Sequence, residues 1–142
     1  MKKYFTLDEA NNLIPLLEFK LPKLLRIKND MGHFLKTLAK KGVNVEELFG
    51  MTDLQDEDLI RIKGELEKYG TALTAALTEI QNLGCIIKDM EMGLVDFYGI
   101  IDDTEILFCW QLGEPCIGYW HKTSEGFQNR KPLFEETEKQ LH

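Results

Sequence analysis

Hydrophobic residues recur along the first 84 positions at alternating spacings of three and four. Leu17, Leu21, Leu24, Lys28, Met31, Leu35 and Leu38 form one series, with Lys28 its sole polar member, and Leu59, Ile62, Leu66, Tyr69, Leu73, Ala76, Ile80 and Leu83 form another. That spacing keeps apolar groups on one side of a helix, so each series predicts a long helix whose seam packs lengthwise on a second, as in a coiled coil. Lys28 reads as a side chain that snorkels out of the seam, with a register-fixing partner for an acid as the alternative. Thr6 and Glu9 stand in capping-box spacing, so Leu7 to Leu13 reads as a short opening segment, Pro15 as the first turn of the main helix and Pro22 as a kink. Lys40, Lys41 and Gly42 supply a terminal cation pair and a C′ glycine that stop the helix. Residues 43 to 51 read as a connector, Thr52 and Gln55 as the next cap and Gly84 as the end of the second helix. The expectation for residues 6–84 is an antiparallel helical hairpin with arms of roughly 30 to 40 Å at 1.5 Å per residue.

Beyond residue 84 the period changes to two. β-Branched and aromatic residues run from Leu94 to Ile101 and from Thr104 to Gln111, with Asp102 and Asp103 between them, which reads as a hairpin with a two-residue turn. Counting back from that turn pairs Gly99 with Ile106, Phe97 with Phe108, Asp96 with Cys109 and Val95 with Trp110. Val95, Phe97, Ile106, Phe108 and Trp110 then share an apolar face, and Asp96, Tyr98, Leu107, Cys109 and Gln111 the other. A four-residue turn, Leu112 to Pro115, leads to a third strand, Cys116 to His121, in which Gly118 faces Cys109 and Trp120 faces Leu107, while Ile117, Tyr119 and His121 lie on the Trp110 side. Asp96, Cys109 and Gly118 would thus line a polar notch open to close approach. The expected fold is α+β, a long antiparallel helical hairpin packed on a three-stranded antiparallel meander, with Leu13 and Leu77 in the stripe that covers the Trp110 face. One domain spans 1–142: the hairpin (6–84), the meander and a closing loop (85–133), and a C-terminal tail (134–142).

Composition adds limits. A chain of 142 residues, 44% hydrophobic, suffices for one well-buried core. The net charge of -7 is unevenly spread: residues 1 to 50 carry +3, and the segments 51–92 and 93–142 carry -5 each. The acidic C-terminal part repels phosphate, so no nucleic-acid partner is expected. No apolar run approaches membrane-spanning length, which predicts no membrane partner and a cytoplasmic location. Cys85, Cys109 and Cys116 are odd in number and outside any CxxC pattern, so reduced thiols are expected.

GLVDF, CWQLGEP, YWH, GF and the final R.PL, together with the opening YFTLDEANNLIPLL, resemble an uncharacterised prokaryotic family, also seen in plants, the domain of unknown function 2203. The residues that match are Gly93, Asp96, Phe97, Cys109, Trp110, Gly113, Glu114, Trp120, His121, Gly126, Phe127, Arg130, Pro132 and Leu133. The resemblance implies no activity, substrate or cofactor.

The chemistry is therefore weighed from the residues. Asp96, Cys109, Trp120 and Arg130 are the ligand-binding candidates. Cys109 is either a nucleophile or ligand or a small buried hydrophobe whose thiolate Asp96 suppresses. Glu114 and His121 are the candidate ligands of a divalent metal; the meander separates them by nearly 20 Å, so one ion would take them from two subunits. Arg130 suits a carboxylate, Asp96 or Glu114, and such a link would close the 122–133 loop over the Cys109 face. Trp110 reads as core, and Trp120 as covered by the tail or as a stacking surface. Two functions are compatible with this. One is a non-enzymatic binding or scaffolding module that acts as a homo-oligomer, at least a dimer. The other is a small metal- or anion-dependent enzyme with a site around Asp96, Glu114, His121 and Arg130.

Overall fold

A computed structural model describes residues 2–134 of the chain; all of the expected tail except Phe134 lies outside the described residues. The chain divides into two compact units, Met1–Leu21 with Glu79–His142, and Pro22–Thr78.

Four helices occur in chain order: α1 (Leu7–Asn11), α2 (Ile14–Lys40), α3 (Val45–Gly50) and α4 (Glu57–Gln81). The Thr6/Glu9 capping box forms, with the Glu9 amide donating to Thr6 Oγ1 at 3.1 Å and the Thr6 amide to Glu9 Oε1 at 2.9 Å. Gly42 ends α2 in the left-handed region at φ 73°, a conformation that disfavours a Cβ. Two expectations are corrected here. The connector carries α3, capped by Asn44, whose Oδ1 accepts from the Glu47 amide at 2.8 Å. The start of α4 is capped by Asp56 rather than Thr52, its Oδ1 taking the Asp58 and Leu59 amides.

Within Pro22–Thr78, Leu38, Leu48, Leu59, Ile62 and Leu66 are buried together, with Met31, Phe34, Leu35, Val43, Met51 and Leu54 around them. α3 is in this core because Leu48 has no exposed surface. The Phe34 and Tyr69 rings meet at 5.8 Å.

The other unit holds an antiparallel sheet of five strands, where three were expected: β1 (Ile86–Asp89), β2 (Leu94–Ile101), β3 (Thr104–Gln111), β4 (Tyr119–Lys122) and β5 (Lys131–Pro132), in that spatial order. The β2–β3 hairpin has the expected register, Asp96 opposite Cys109 and Ile101 opposite Thr104. Asp102 and Asp103 make its turn with φ of 51° and 62°, the primed geometry that matches strand twist. β1 pairs with β2 through a bulge between Ile87 and Asp89.

The third strand departs from expectation by one residue. β4 begins at Tyr119, and its register places Tyr119 opposite Cys109, Trp120 opposite Phe108 and His121 opposite Leu107. A slip of one exchanges the faces of a strand. Tyr119, not Gly118, therefore stands across from Cys109; His121 moves to the Asp96 face and Trp120 to the face of Phe97 and Phe108. The loop over residues 112–118 is longer than a tight turn, so turn geometry does not fix its register.

Val95, Phe97 and Trp110 are fully buried, and Phe5 packs its ring edge-on against Phe97 at 5.3 Å. The buried helical residues of this unit are Ala10, Ile14, Leu17, Leu21 and Ile80, with Leu13 half-buried. Two contacts tie the N-terminal segment to the sheet: the Phe5 amide donates to the Tyr98 carbonyl at 2.7 Å, and Asn11 Oδ1 accepts from the Ile117 amide at 2.8 Å. On the apolar face Gly99 is a packing requirement, since a Cβ there would lie 2.3 Å from the Phe108 ring.

Candidate functional site

On the opposite face, three side chains with metal-binding or acid–base chemistry converge. Asp96 comes from β2, Cys109 from β3 directly across from it, and His121 from β4. Each is buried, at 2%, 1% and 1% exposure. Their donor atoms all lie within 4.8 Å of one another.

The hydrogen bonds of His121 fix how protons are distributed. Nδ1 is 2.8 Å from the Lys122 carbonyl oxygen, and Nε2 is 3.0 Å from Asp96 Oδ2. A carbonyl only accepts, so Nδ1 carries a proton and donates it. Nε2 then either accepts from a protonated Asp96 or donates to its carboxylate, and in both cases one proton lies between the two groups. Burial pushes the Asp96 carboxyl above its ordinary value, and His121 pulls it back down.

This arrangement excludes one chemistry. A thiol–imidazole–carboxylate triad needs one ring nitrogen on the carboxylate and the other on the nucleophile. Here the second nitrogen is taken by Lys122. The Cys109 thiol is moreover pushed up to about 12, first by burial and then by the negative charge of Asp96, against the pull of Arg130. It is no activated nucleophile at neutral pH.

Arg130 lies on the same face, over the Tyr119 ring across from Cys109, where its positive charge pulls the Cys109 thiol down. Its Nη1 and Nη2 donate to Oε1 and Oε2 of Glu114 at 3.0 Å each, a two-pronged ion pair. The guanidinium carbon lies 3.8 Å from the centroid of the Tyr119 ring and 4.4 Å from that of Phe127. The expected link between Arg130 and an acid of the sheet is thus present, and the acid is Glu114. Glu114 is itself held by the Gln111 amide, which donates to Oε1 at 2.7 Å, and its carbonyl accepts from Trp110 Nε1 at 2.9 Å.

Of the residues singled out from sequence, Asp96, Cys109 and Arg130 come together on one face and His121 joins them, while Glu114 contacts Arg130 and is outside the converging triplet. Within the described residues of one chain, the group whose donor atoms lie close enough to share an ion is Asp96, Cys109 and His121, and Glu114 is not part of it. Trp120 is on the other face, with Lys131 Nζ 4.8 Å above its ring. Sequence reasoning missed Tyr119, Phe127 and the Lys122 carbonyl. Once β4 is in register, Tyr119 follows from its place opposite Cys109, whereas a backbone carbonyl leaves no residue-type signal.

The chain matches a family described as uncharacterized conserved protein (DUF2203) over residues 3–133. It belongs to that family. The match takes in the sheet, the site and both long helices. No curated protein and no solved structure matches the chain.

Proposed function

We propose that this DUF2203 protein binds a divalent metal ion of the zinc class through Asp96, Cys109 and Nε2 of His121. What carries the reading is the hydrogen bond from His121 Nδ1 to the Lys122 carbonyl, which leaves Nε2 to the ion and fixes the ring, the outer support usual for a ligating histidine. Thiolate, imidazole and carboxylate together suit zinc among the common divalent ions. Donors on one tetrahedral ion lie about 3.4 to 3.7 Å apart, so adjustments of about an ångström bring these three into place. An ion would take the position of the shared proton and displace the proton of Cys109, which the adjacent Arg130 favours. Two ligand charges balance the ion, and Arg130 is balanced by Glu114. Three protein donors leave a fourth position, where the ion would supply Lewis acidity toward an incoming ligand.

The test is metal analysis of protein purified without added metal, followed by titration with Co²⁺. About one ion per chain and a thiolate-to-cobalt absorption band that Cys109→Ser abolishes are expected. A parent protein with no saturable binding at one equivalent would overturn the proposal.

Self-association through a second copy of the chain is supported by Phe19, 71% exposed on α2, with Leu16 one turn before it at 38%. Light scattering at micromolar concentration should give a dimer for the parent and a monomer for Phe19→Glu; a parental monomer excludes it.

A further inference from the structure

Residues 122–133 form a strap that begins directly after His121, at the last residue of β4, and runs through a 3-10 turn, Phe127–Asn129, into β5. None of them is buried, whereas Asp96, Cys109 and His121 are almost completely so. The backbone bonds of Glu125 to Lys122, Asn129 to Gly126 and Arg130 to Phe127 are local and would travel with the strap. Its ties to the rest include the pairing of Lys122 with Ile106 at its root, the two β4–β5 pairs, Lys131 over the Trp120 ring, the Leu133 amide on the Gly118 carbonyl at 2.8 Å, and Arg130. Arg130 is the strap residue that lies over Tyr119, the neighbour of Cys109 across the sheet, and its two-pronged bond to Glu114 holds it there.

We infer that the strap is the door to the buried Asp96–Cys109–His121 cluster and that the Glu114–Arg130 ion pair is its clasp. Segments with few buried apolar contacts open most readily, and here that segment lies against groups an ion must reach. The two ends of the clasp serve different needs. Glu114 is fixed to the β3–β4 loop by the Gln111 amide, so it is the stationary half. Arg130 rides on the strap and leaves with it. The root of the strap is coupled to the site as well, because the Lys122 carbonyl that orients His121 is its first residue. Opening that displaces this carbonyl would release the ring that holds the ion, so entry and release would share one motion. The purpose of the door rests on the metal-binding reading; the test of its opening does not.

That test is alkylation of metal-free protein with iodoacetamide, resolved by cysteine in a mass spectrometer. Cys116 is exposed and labels at once, while Cys85 and Cys109 are buried. Glu114→Gln keeps an oxygen for the Gln111 amide but loses the charge, and Arg130→Met removes the cation. The two changes push the Cys109 thiol in opposite directions, the first freeing a guanidinium beside it and the second taking it away. Both are expected to raise the Cys109 labelling rate about tenfold, the change that 1.4 kcal/mol makes in an opening equilibrium, and to leave Cys85 unchanged. Unchanged Cys109 labelling in either variant would sink the clasp. So would a rise matched at Cys85, which is global unfolding, or one confined to Glu114→Gln, which is an electrostatic effect on the thiol. A protein that takes up no metal but labels as expected would retain the clasp and lose the metal.

Discussion

Asp96 Oδ2 and His121 Nε2 lie 3.0 Å apart in the interior of the sheet, and because the other ring nitrogen donates to the Lys122 carbonyl, the two residues hold one proton between them. The pair is neutral overall wherever that proton resides. This is how a carboxyl and an imidazole are both kept from water without an uncompensated charge.

The first prediction contrasts two replacements of Asp96. In Asp96→Asn the side-chain amide donates to the Nε2 lone pair of a neutral imidazole, so stability to urea should stay within about 1 kcal/mol of the parent. Asp96→Ala leaves that lone pair buried with no partner and should cost about 1 to 3 kcal/mol. Both should lose metal binding. Equal destabilisation by the two would refute the one-proton pair.

Cys85 gives a pH prediction. Burial pushes its thiol up from 9.0 to about 11, and its S–H donates to the Ile80 carbonyl at 3.5 Å. Below pH 9 both folded and unfolded chains keep the proton. Above it the unfolded chain ionises first, so stability falls as pH rises toward the folded value. At pH 10 this amounts to about 1.4 kcal/mol. The loss between pH 8 and 10, measured by denaturant unfolding, should be smaller by that amount in Cys85→Ala; an identical slope would count against it.

Leu48 tests whether α3 belongs to the helical core. Its side chain is wholly buried among Leu38, Leu59, Ile62 and Leu66. Truncation to alanine should cost about 2 to 5 kcal/mol, read as a lower urea midpoint at unchanged slope. A loss below 1 kcal/mol would mean that α3 is surface.

The hairpin turn offers a gain. Asp103 has φ of 62°, a conformation glycine adopts without a Cβ clash. Asp103→Gly should therefore stabilise the protein by about 0.5 to 1 kcal/mol despite the added freedom of the unfolded chain. Thermal unfolding checks the sign, and a lower midpoint would contradict it.

The α+β class, both long helices and the β2–β3 hairpin were legible because each has a local determinant. A two-residue turn fixes register, so Asp96 opposite Cys109 followed by counting. β4 has no such determinant. The loop over residues 112–118 allows either parity, and the choice decides whether His121 lies beside Asp96 or behind it; the third member of the cluster was hidden for that reason. β5 was missed because its two residues include Pro132, and proline argues against a strand except at an edge, where β5 is. The Asn44 cap of α3 was present in the sequence, in the spacing of Asn44 to Glu47, but six residues of helix gave too little periodicity to register. The Arg130 link was legible because it needed only a cation and a nearby acid.

The closeness of Gly99 to the Phe108 ring has a bearing on how this family can vary. Two positions on neighbouring strands draw on the same small volume, so neither evolves alone. In this chain a side chain at position 99 would require the Phe108 ring to move or shrink, and the expectation is that a bulky pair at these two positions is missing from an alignment of the family. Such a forbidden combination is a mark of the fold that survives when the site residues have changed, and it would identify distant relatives that keep the sheet but not its chemistry.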